Sequence, residues 1–394
     1  LLINSEARFF RSPDGRIWTE TAFPYPYWQK YLSSFSCVRI LARVRDAQMP
    51  NQSYQLVEGP GVMIVALPYY VGSLGFVFCA RAIRTVMEKE LKQRSLAVIL
   101  VTPSPLSLIF ERVVRARQYP YGVEVLGDPK EVFSAHGIRH PLRKFLRWWL
   151  ARRQKSLVRD AKAALYVTQK SLQAAYPPGL NTFSIGVSNI DLRPAHLVEP
   201  KIPLHRLYGS AIRIVGVGSL EQMYKGVDIL LQAMRILSDQ QYDVSLTWIG
   251  GGYFLQGLIL LSNQLGLQTR VNFSGNVSSG DSVRETLDTA DLFVLPSRTE
   301  GLPRALVEAM ARGLPCIGSN VGGIPELLER DELFPSEDAV AAASLIAKLI
   351  ADPARRRSMA LRNLEKSRAF LNEKLDEKKR EFWAQLTAAD SCGL

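Results

Sequence analysis

SRTEGLPRALVEAMARGLPCIGSNVGGIPELL, residues 297–328, is the stretch from which the fold is read. An apolar run, Leu292–Leu295, forms a strand that ends just before it. Glu300-Gly301-Leu302 is a loop, Pro303 opens a helix at its first position, and Gly313 closes that helix. Cys316–Ser319 is the next strand, Val321-Gly322-Gly323 turns out of it, and Pro325 opens a further helix. Glu300 thus precedes a helix N-terminus, and Glu308 lies in the second turn of that helix. A carboxylate can accept from two neighbouring sugar hydroxyls, and a positive helix end suits a phosphate. The pair describes a sugar-nucleotide site at strand carboxyl ends, where open α/β sheets hold ligands. The plainer reading is a solvated loop glutamate and a helix-surface glutamate.

The alternation continues upstream. Ile212–Val217 is β-rich, and a stripe of Val227, Leu230, Leu231, Met234 and Leu237 marks a helix. Val244–Ile249 and Val271–Phe273 read as strands, with helices ending near Gly266 and over Ser282–Thr289. Strand–helix alternation means a parallel sheet wrapped by helices. The first half is less regular, with strands expected at Leu1–Phe10, Val38–Val44, Val62–Leu67, Leu96–Thr102, Val123–Leu126 and Ala164–Thr168. The reading is α/β with two doubly wound domains, 1–200 and 201–364. A linker is expected near Ser188–Ser210, and a last helix from Glu365 to about Leu386, within 365–394, packs back on the first domain. Gly250-Gly251-Gly252 does not make a dinucleotide fingerprint, because the third glycine position falls on Leu255.

Charge separates the halves. Residues 1–200 carry 27 Lys+Arg and 14 Asp+Glu, a net +13, whereas residues 201–394 carry 22 and 23, a net −1. A basic half seeks an anionic partner. The 47% hydrophobic and 22% charged composition excludes wholesale disorder. Cys37, Cys79, Cys316 and Cys392 have no paired spacing, and His136, His140, His196 and His205 give no ligand pattern, so neither a disulfide framework nor a metal is expected. The sequence opens without Met, and no cleavable signal is expected in its first residues. Gly59–Ala80 is uncharged, but Pro68, Gly72 and Gly75 interrupt it, so it reads as strand, turn and helix start rather than a membrane span.

Residues 297–328 resemble the Glu-x7-Glu signature of retaining glycosyltransferases of family four, which have the GT-B fold. Val215-Gly216-Val217-Gly218-Ser219-Leu220 with Lys225-Gly226, Trp248–Gly252 and Phe273–Val277 are similar to that family's upstream strand ends. The resemblance implies GT-B, two Rossmann-like domains facing a central cleft, with a nucleotide-sugar donor on the second and a carbohydrate or lipid-linked acceptor on the first. It implies that Glu300 holds sugar hydroxyls, Glu308 the ribose and Lys225 the diphosphate. Amides around Gly301, Leu302 and Pro303 and at Leu306 and Val307 would flank sugar and phosphate, and main chain near Val277 would read the base. Ser219 stands where the family often has Arg, so Arg298 or Arg304 is a candidate replacement. Gly15 and Arg16 fall in the region of the family's first-strand glycine loop, and Asp128 near its cleft-facing acid or His; an Asx turn is the other reading of Asp128.

Arg139–Lys162 holds nine basic residues and one acid, with Leu142, Phe145, Leu146 and Trp149 on one helical face. Three readings stand: an anionic membrane surface, plain packing, and nucleic acid. The expectation is the membrane surface, with no nucleic acid, for a cytoplasmic protein peripheral to the inner face of the plasma membrane. The function expected is retaining hexosyl transfer from a UDP-sugar without cofactor or metal. The alternatives are a nucleotide-sugar epimerase or hydrolase, for which an acidic pair facing Glu300 would speak, and a non-catalytic basic adaptor.

Overall fold

A computed structural model describes residues 1–20, 23–47, 54–92, 96–132, 142–198, 211–277 and 280–387. His136, His140, His205, Cys392 and the start of the basic stretch (139–141) lie outside the described residues, as does 199–210 of the expected linker.

The first sheet holds nine strands: β1 Leu2–Arg11, β2 Ile17–Thr19, β3 Val38–Asp46, β4 Gln55–Leu56, β5 Val62–Leu67, β6 Val98–Thr102, β7 Gly122–Val125, β8 Ala163–Tyr166 and β9 Phe183–Gly186. From β1 the chain builds outward through β3 and β5, then returns to the other side of β1 for β6, β7, β8 and β9, all parallel. β1 outruns its neighbour β6, bulges between Asn4 and Arg8, and turns into the antiparallel β2. The second sheet holds β10 Ile212–Val217, β11 Val244–Ile249, β12 Val271–Gly275, β13 Leu292–Leu295, β14 Cys316–Ser319 and β15 Leu333–Phe334. Its order is β12-β11-β10-β13-β14-β15, all parallel. Each sheet therefore reverses direction once, at β1/β6 and at β10/β13, and such switch points are where crevices form beyond the carboxyl ends of strands.

The strands are apolar on both faces because helices cover both. Leu2, Leu41, Leu100, Val123 and Val125 pack under helices Gly72–Glu90, Pro105–Ala116 and Arg143–Arg159. Ile3, Ile40, Ile99 and Leu165 face a second layer that includes Tyr31, Phe35 and the last helix. The uncharged Gly59–Ala80 resolves into β5 and the start of helix Gly72–Glu90, and among the described residues no helix is long and apolar enough to cross a membrane.

One long final helix is not what forms. Helix Pro353–Ser367 ends on the second domain, a short turn over Arg368–Phe370 breaks direction at Leu371, and a separate helix, Asn372–Thr387, lies against β8 and β9. Trp383 sits 5.0 Å from the Tyr31 ring, centroid to centroid. Leu386 and Phe382 come so close to Gly122 that a Cβ there would lie 2.8 and 3.0 Å from them. The break lets a chain leaving one domain lay its last apolar stripe on the other.

Candidate active site

Five loops converge at the carboxyl ends of the second sheet. Arg304–Ala311 is the helix that Glu300 precedes; Pro303 is its N-cap rather than its first residue, and Gly313, at φ +64°, ends it. Glu300 is held from two sides: Lys225 Nζ lies 2.5 Å from its Oε1, and the Ser297 hydroxyl donates to the same oxygen at 2.6 Å. The second carboxylate oxygen has no partner among the described residues. Behind Glu300, Gly322 adopts φ +52°, and any Cβ there would lie 1.9 Å from the Glu300 carbonyl. The two glycines of the Val321 turn therefore let one loop's backbone seat directly on the other's.

The charge of Lys225, which the resemblance assigns to the diphosphate, is matched by Glu300. Arg298 is excluded as the replacement for the family's arginine. Its guanidinium is bidentate to Asp228 at 2.8 and 2.7 Å, pairs with Glu337 at 2.9 Å and donates to the Met223 carbonyl at 2.7 Å. It buttresses the Met223–Lys225 turn instead. Arg304 remains: it is exposed, stands first in the helix, and has no hydrogen-bond or ion-pair partner among the described residues. Glu308 has its carboxyl pushed up by burial, partly offset by Arg304 and Arg284. Ser219 accepts from the Glu221 N–H at 3.3 Å, and its hydroxyl hydrogen stays available. Leu302, Leu306 and Val307 are buried, so only their main chain can serve a ligand. The Val307 amide is already spent on the Pro303 carbonyl at 3.3 Å, a correction to its expected role. Val277 follows β12, beside the Gly250–Gly275 bridge.

On the first domain, Asp128 forms the Asx turn. Its Oδ1 accepts the Lys130 N–H at 2.7 Å and also the Tyr176 hydroxyl, which ties it to structure. Gly15 and Arg16 sit at the tip of the β1–β2 hairpin, where Arg16 pairs with Asp14 and both are exposed. The part of β1 that opens toward the cleft is Asn4–Ala7. With Tyr27, Trp28, Glu124 and Leu126 it lines a cavity of about 310 Å³ at the β1/β6 switch point. Glu124 is buried there, its carboxyl raised by burial, and Tyr31 donates to it at 3.3 Å.

Two residues escaped the sequence reading. Glu131, three residues past Asp128, lies beside Thr299 and within electrostatic reach of Glu300. Burial pushes its carboxyl up to about 7, and the charges of Asp128 and Glu300 add to the rise. Glu131 is thus one first-domain acid near Glu300, while its neighbour Asp128 is held by Lys130 and Tyr176. The signal was a Pro-Lys-Glu helix start just beyond a strand end. Glu326, from the helix Ile324–Leu327, crosses to the first domain and accepts the backbone N–H groups of Gln169, Lys170 and Ser171 at 2.6, 3.1 and 2.7 Å. Gly301 is equally close to the first domain, since a Cβ on it would stand 3.3 Å from the Leu126 carbonyl. The loops that carry Gly301 and Glu326 are thus pressed against the first domain.

Residues 202–365 match the family model for glycosyl transferases group 1. The chain is similar to protein CapJ of Staphylococcus aureus, 27% identical over 368 residues, 89% of this chain and 90% of that protein. It is similar to the amylovoran biosynthesis glycosyltransferase AmsK of Erwinia amylovora, 37% identical over 164 residues, 39% of this chain and 40% of AmsK. The crystal structure of HepE (Alr3699) of Anabaena in complex with UDP and glucose matches with a TM-score of 0.66 at 16% identity, over 97% of this chain and 98% of that one. The fold is GT-B. The GT-B halves are the two switch-point sheets, and their facing crevices form the cleft that holds Glu300 and Glu131. Together these likenesses support a GT-B glycosyltransferase.

Proposed function

We propose that the protein is a retaining glycosyltransferase of the family-four, Glu-x7-Glu type, moving a hexose from a UDP-sugar such as UDP-glucose to a carbohydrate or lipid-linked acceptor in polysaccharide or glycolipid biosynthesis. The observation that carries this is Glu300, clamped by Lys225 and Ser297 ahead of helix Arg304–Ala311 and pressed toward the first domain. The UDP and glucose bound by HepE and the amylovoran role in AmsK's name support the donor and the pathway class.

In this reading the free oxygen of Glu300 holds donor hydroxyls, and Glu308 holds the ribose. The diphosphate lies against Lys225, Arg304 and the helix amino end, so that a metal or cofactor is not needed to offset its charge. As the phosphate leaves, Lys225 shifts its charge from Glu300 to the departing oxygens. The acceptor enters from the first-domain cavity, and the leaving phosphate takes its proton on the same face. Catalysis is positioning and leaving-group electrostatics. Hydrolysis or epimerisation is the lesser reading: Glu131 could hold a water, but Asp128, its partner, is tied to Tyr176 and Lys130. The basic helix Arg143–Arg159 holds the enzyme to the inner face of the plasma membrane through anionic lipid.

Thermal-shift screening against UDP, GDP and ADP tests the donor. Radiolabelled transfer by wild type and Glu300→Gln tests the site, and a variant that transfers at the wild-type rate removes Glu300 from it.

A further inference from the structure

Helices Gly72–Glu90 and Arg143–Arg159 flank helix Pro105–Ala116 in one layer on the first sheet. Both bury mainly their carboxyl-terminal halves, through Ile83, Met87 and Glu90 in one and Ala151, Gln154, Leu157 and Val158 in the other. Their amino-terminal halves lie at the edge that faces the cleft. The first follows the end of β5, and Arg147 of the second acts electrostatically on Glu131.

At that edge the apolar side chains point outward. Leu74, Val77 and Phe78 are 75%, 67% and 84% exposed, at helical spacing, and Phe145 and Trp148 are 56% and 58% exposed. Contiguous exposure of this kind marks an interaction surface. The charges along the amino-terminal parts of these two helices have one sign. No Asp or Glu occurs from Val62 to Met87 or from Leu142 to Arg159. Arg81, Arg112, Lys144, Arg147 and Arg152 are exposed and carry no ion pair among the described residues.

We propose that this edge is a two-part docking face for an anionic bilayer, in which Leu74, Val77 and Phe78 enter the headgroup–acyl boundary beside Phe145 and Trp148. The inference rests on the membrane reading of the basic helix and adds a second, apolar foot to it. Two apolar clusters on either side of helix Pro105–Ala116, whose own carboxylate, Glu111, is buried and paired with Arg115 and Arg153, suit a plane of anionic headgroups that both can meet at once. The docked face brings the cleft mouth to the surface where a lipid-linked acceptor lies. It also gives the uncharged run before Arg81 a role that packing leaves open.

The test is sedimentation with vesicles of phosphatidylglycerol mixed equally with phosphatidylcholine, and with phosphatidylcholine alone, at low and high salt. Wild type is expected to bind the anionic vesicles and to release in salt. A Leu74→Ser, Val77→Ser, Phe78→Ser variant is expected to bind about tenfold more weakly while keeping its melting temperature and UDP affinity. A Lys144→Ser, Arg147→Ser, Arg152→Ser variant is expected to lose the preference for phosphatidylglycerol. If the apolar variant binds like wild type while the charge variant does not, the second foot is wrong and the basic-helix reading stands. If wild type binds neither vesicle, both fall, whereas UDP affinity reports on the transferase reading independently.

Discussion

Lys225→Met probes the donor site at its tightest contact. The lysine stem lies over Gly218, and its ammonium is 2.5 Å from a Glu300 oxygen, with the two side chains 15% and 9% exposed. Methionine keeps most of that stem and removes the charge. Breaking a buried pair from one side costs about 3–5 kcal/mol. With some solvent reach, about 2–3 kcal/mol is expected, or roughly 4–12 °C in the melting of a domain of this size. Glu300→Gln in the same chain removes the stranded charge, so the double variant should recover about 1–2 kcal/mol relative to the sum of the single changes. Differential scanning calorimetry of the four proteins reads this. Lys225→Met should also weaken UDP far more than uridine. Strictly additive melting shifts, or equal losses for UDP and uridine, would refute the pairing of this lysine with both Glu300 and the phosphates.

Glu131→Gln should change the pH dependence of stability. A carboxyl raised to about 7 by burial binds its proton more tightly folded than unfolded. Its contribution is therefore intact below the ordinary carboxylate range and is lost as pH rises toward 7, at most about 3 kcal/mol. The variant should melt higher than wild type above pH 7 and alike near pH 4.5, and parallel curves would sink the assignment. Glu326→Ala removes the carboxylate that accepts three N–H groups at the domain contact, worth about 2–3 kcal/mol together. Hydrogen exchange at Gln169–Ser171 should accelerate and the radius of gyration should grow, so unchanged protection would show that the domains are held elsewhere. Arg304→Ala should lower UDP affinity about tenfold without moving the melting temperature, and an unchanged affinity would place the diphosphate away from that helix end.

The second domain was legible in sequence because its signals are local. The strand ends at Leu295 and Ser319, the closing Gly313 and the Pro-started helix before Leu327 are matters of periodicity, φ and a missing N–H. The resemblance over 297–328 drew on the same residues. What sequence did not reveal depends on what stands across the cleft. Arg298 and Arg304 are indistinguishable as letters, and only the fold puts Asp228 and Glu337 around the first. The pairing of Lys225 with Glu300 was not legible either, because the two lie 75 residues apart. Gly15 and Arg16 stand at a hairpin tip, and not in a loop directly after the pairing with β6, because β1 runs on past that neighbour before turning. The break at Leu371 carries neither Gly nor Pro; the pull of the first domain on Phe382, Trp383 and Leu386 makes it.

The return of Asn372–Thr387 to β8 and β9 has a consequence for the order in which the molecule is made. By the time β9 leaves the ribosome the first sheet has all its strands, yet the face that will meet Trp383 and Leu386 is still bare. Roughly 190 more residues must follow, which takes about 10–40 s at ordinary translation speeds. During that interval the second domain can close on its own core, while the first waits with Tyr31 and Gly122 uncovered. The nascent chain thus finishes its first domain last, and truncation upstream of Phe382 would leave that domain unsealed rather than merely shortening the second.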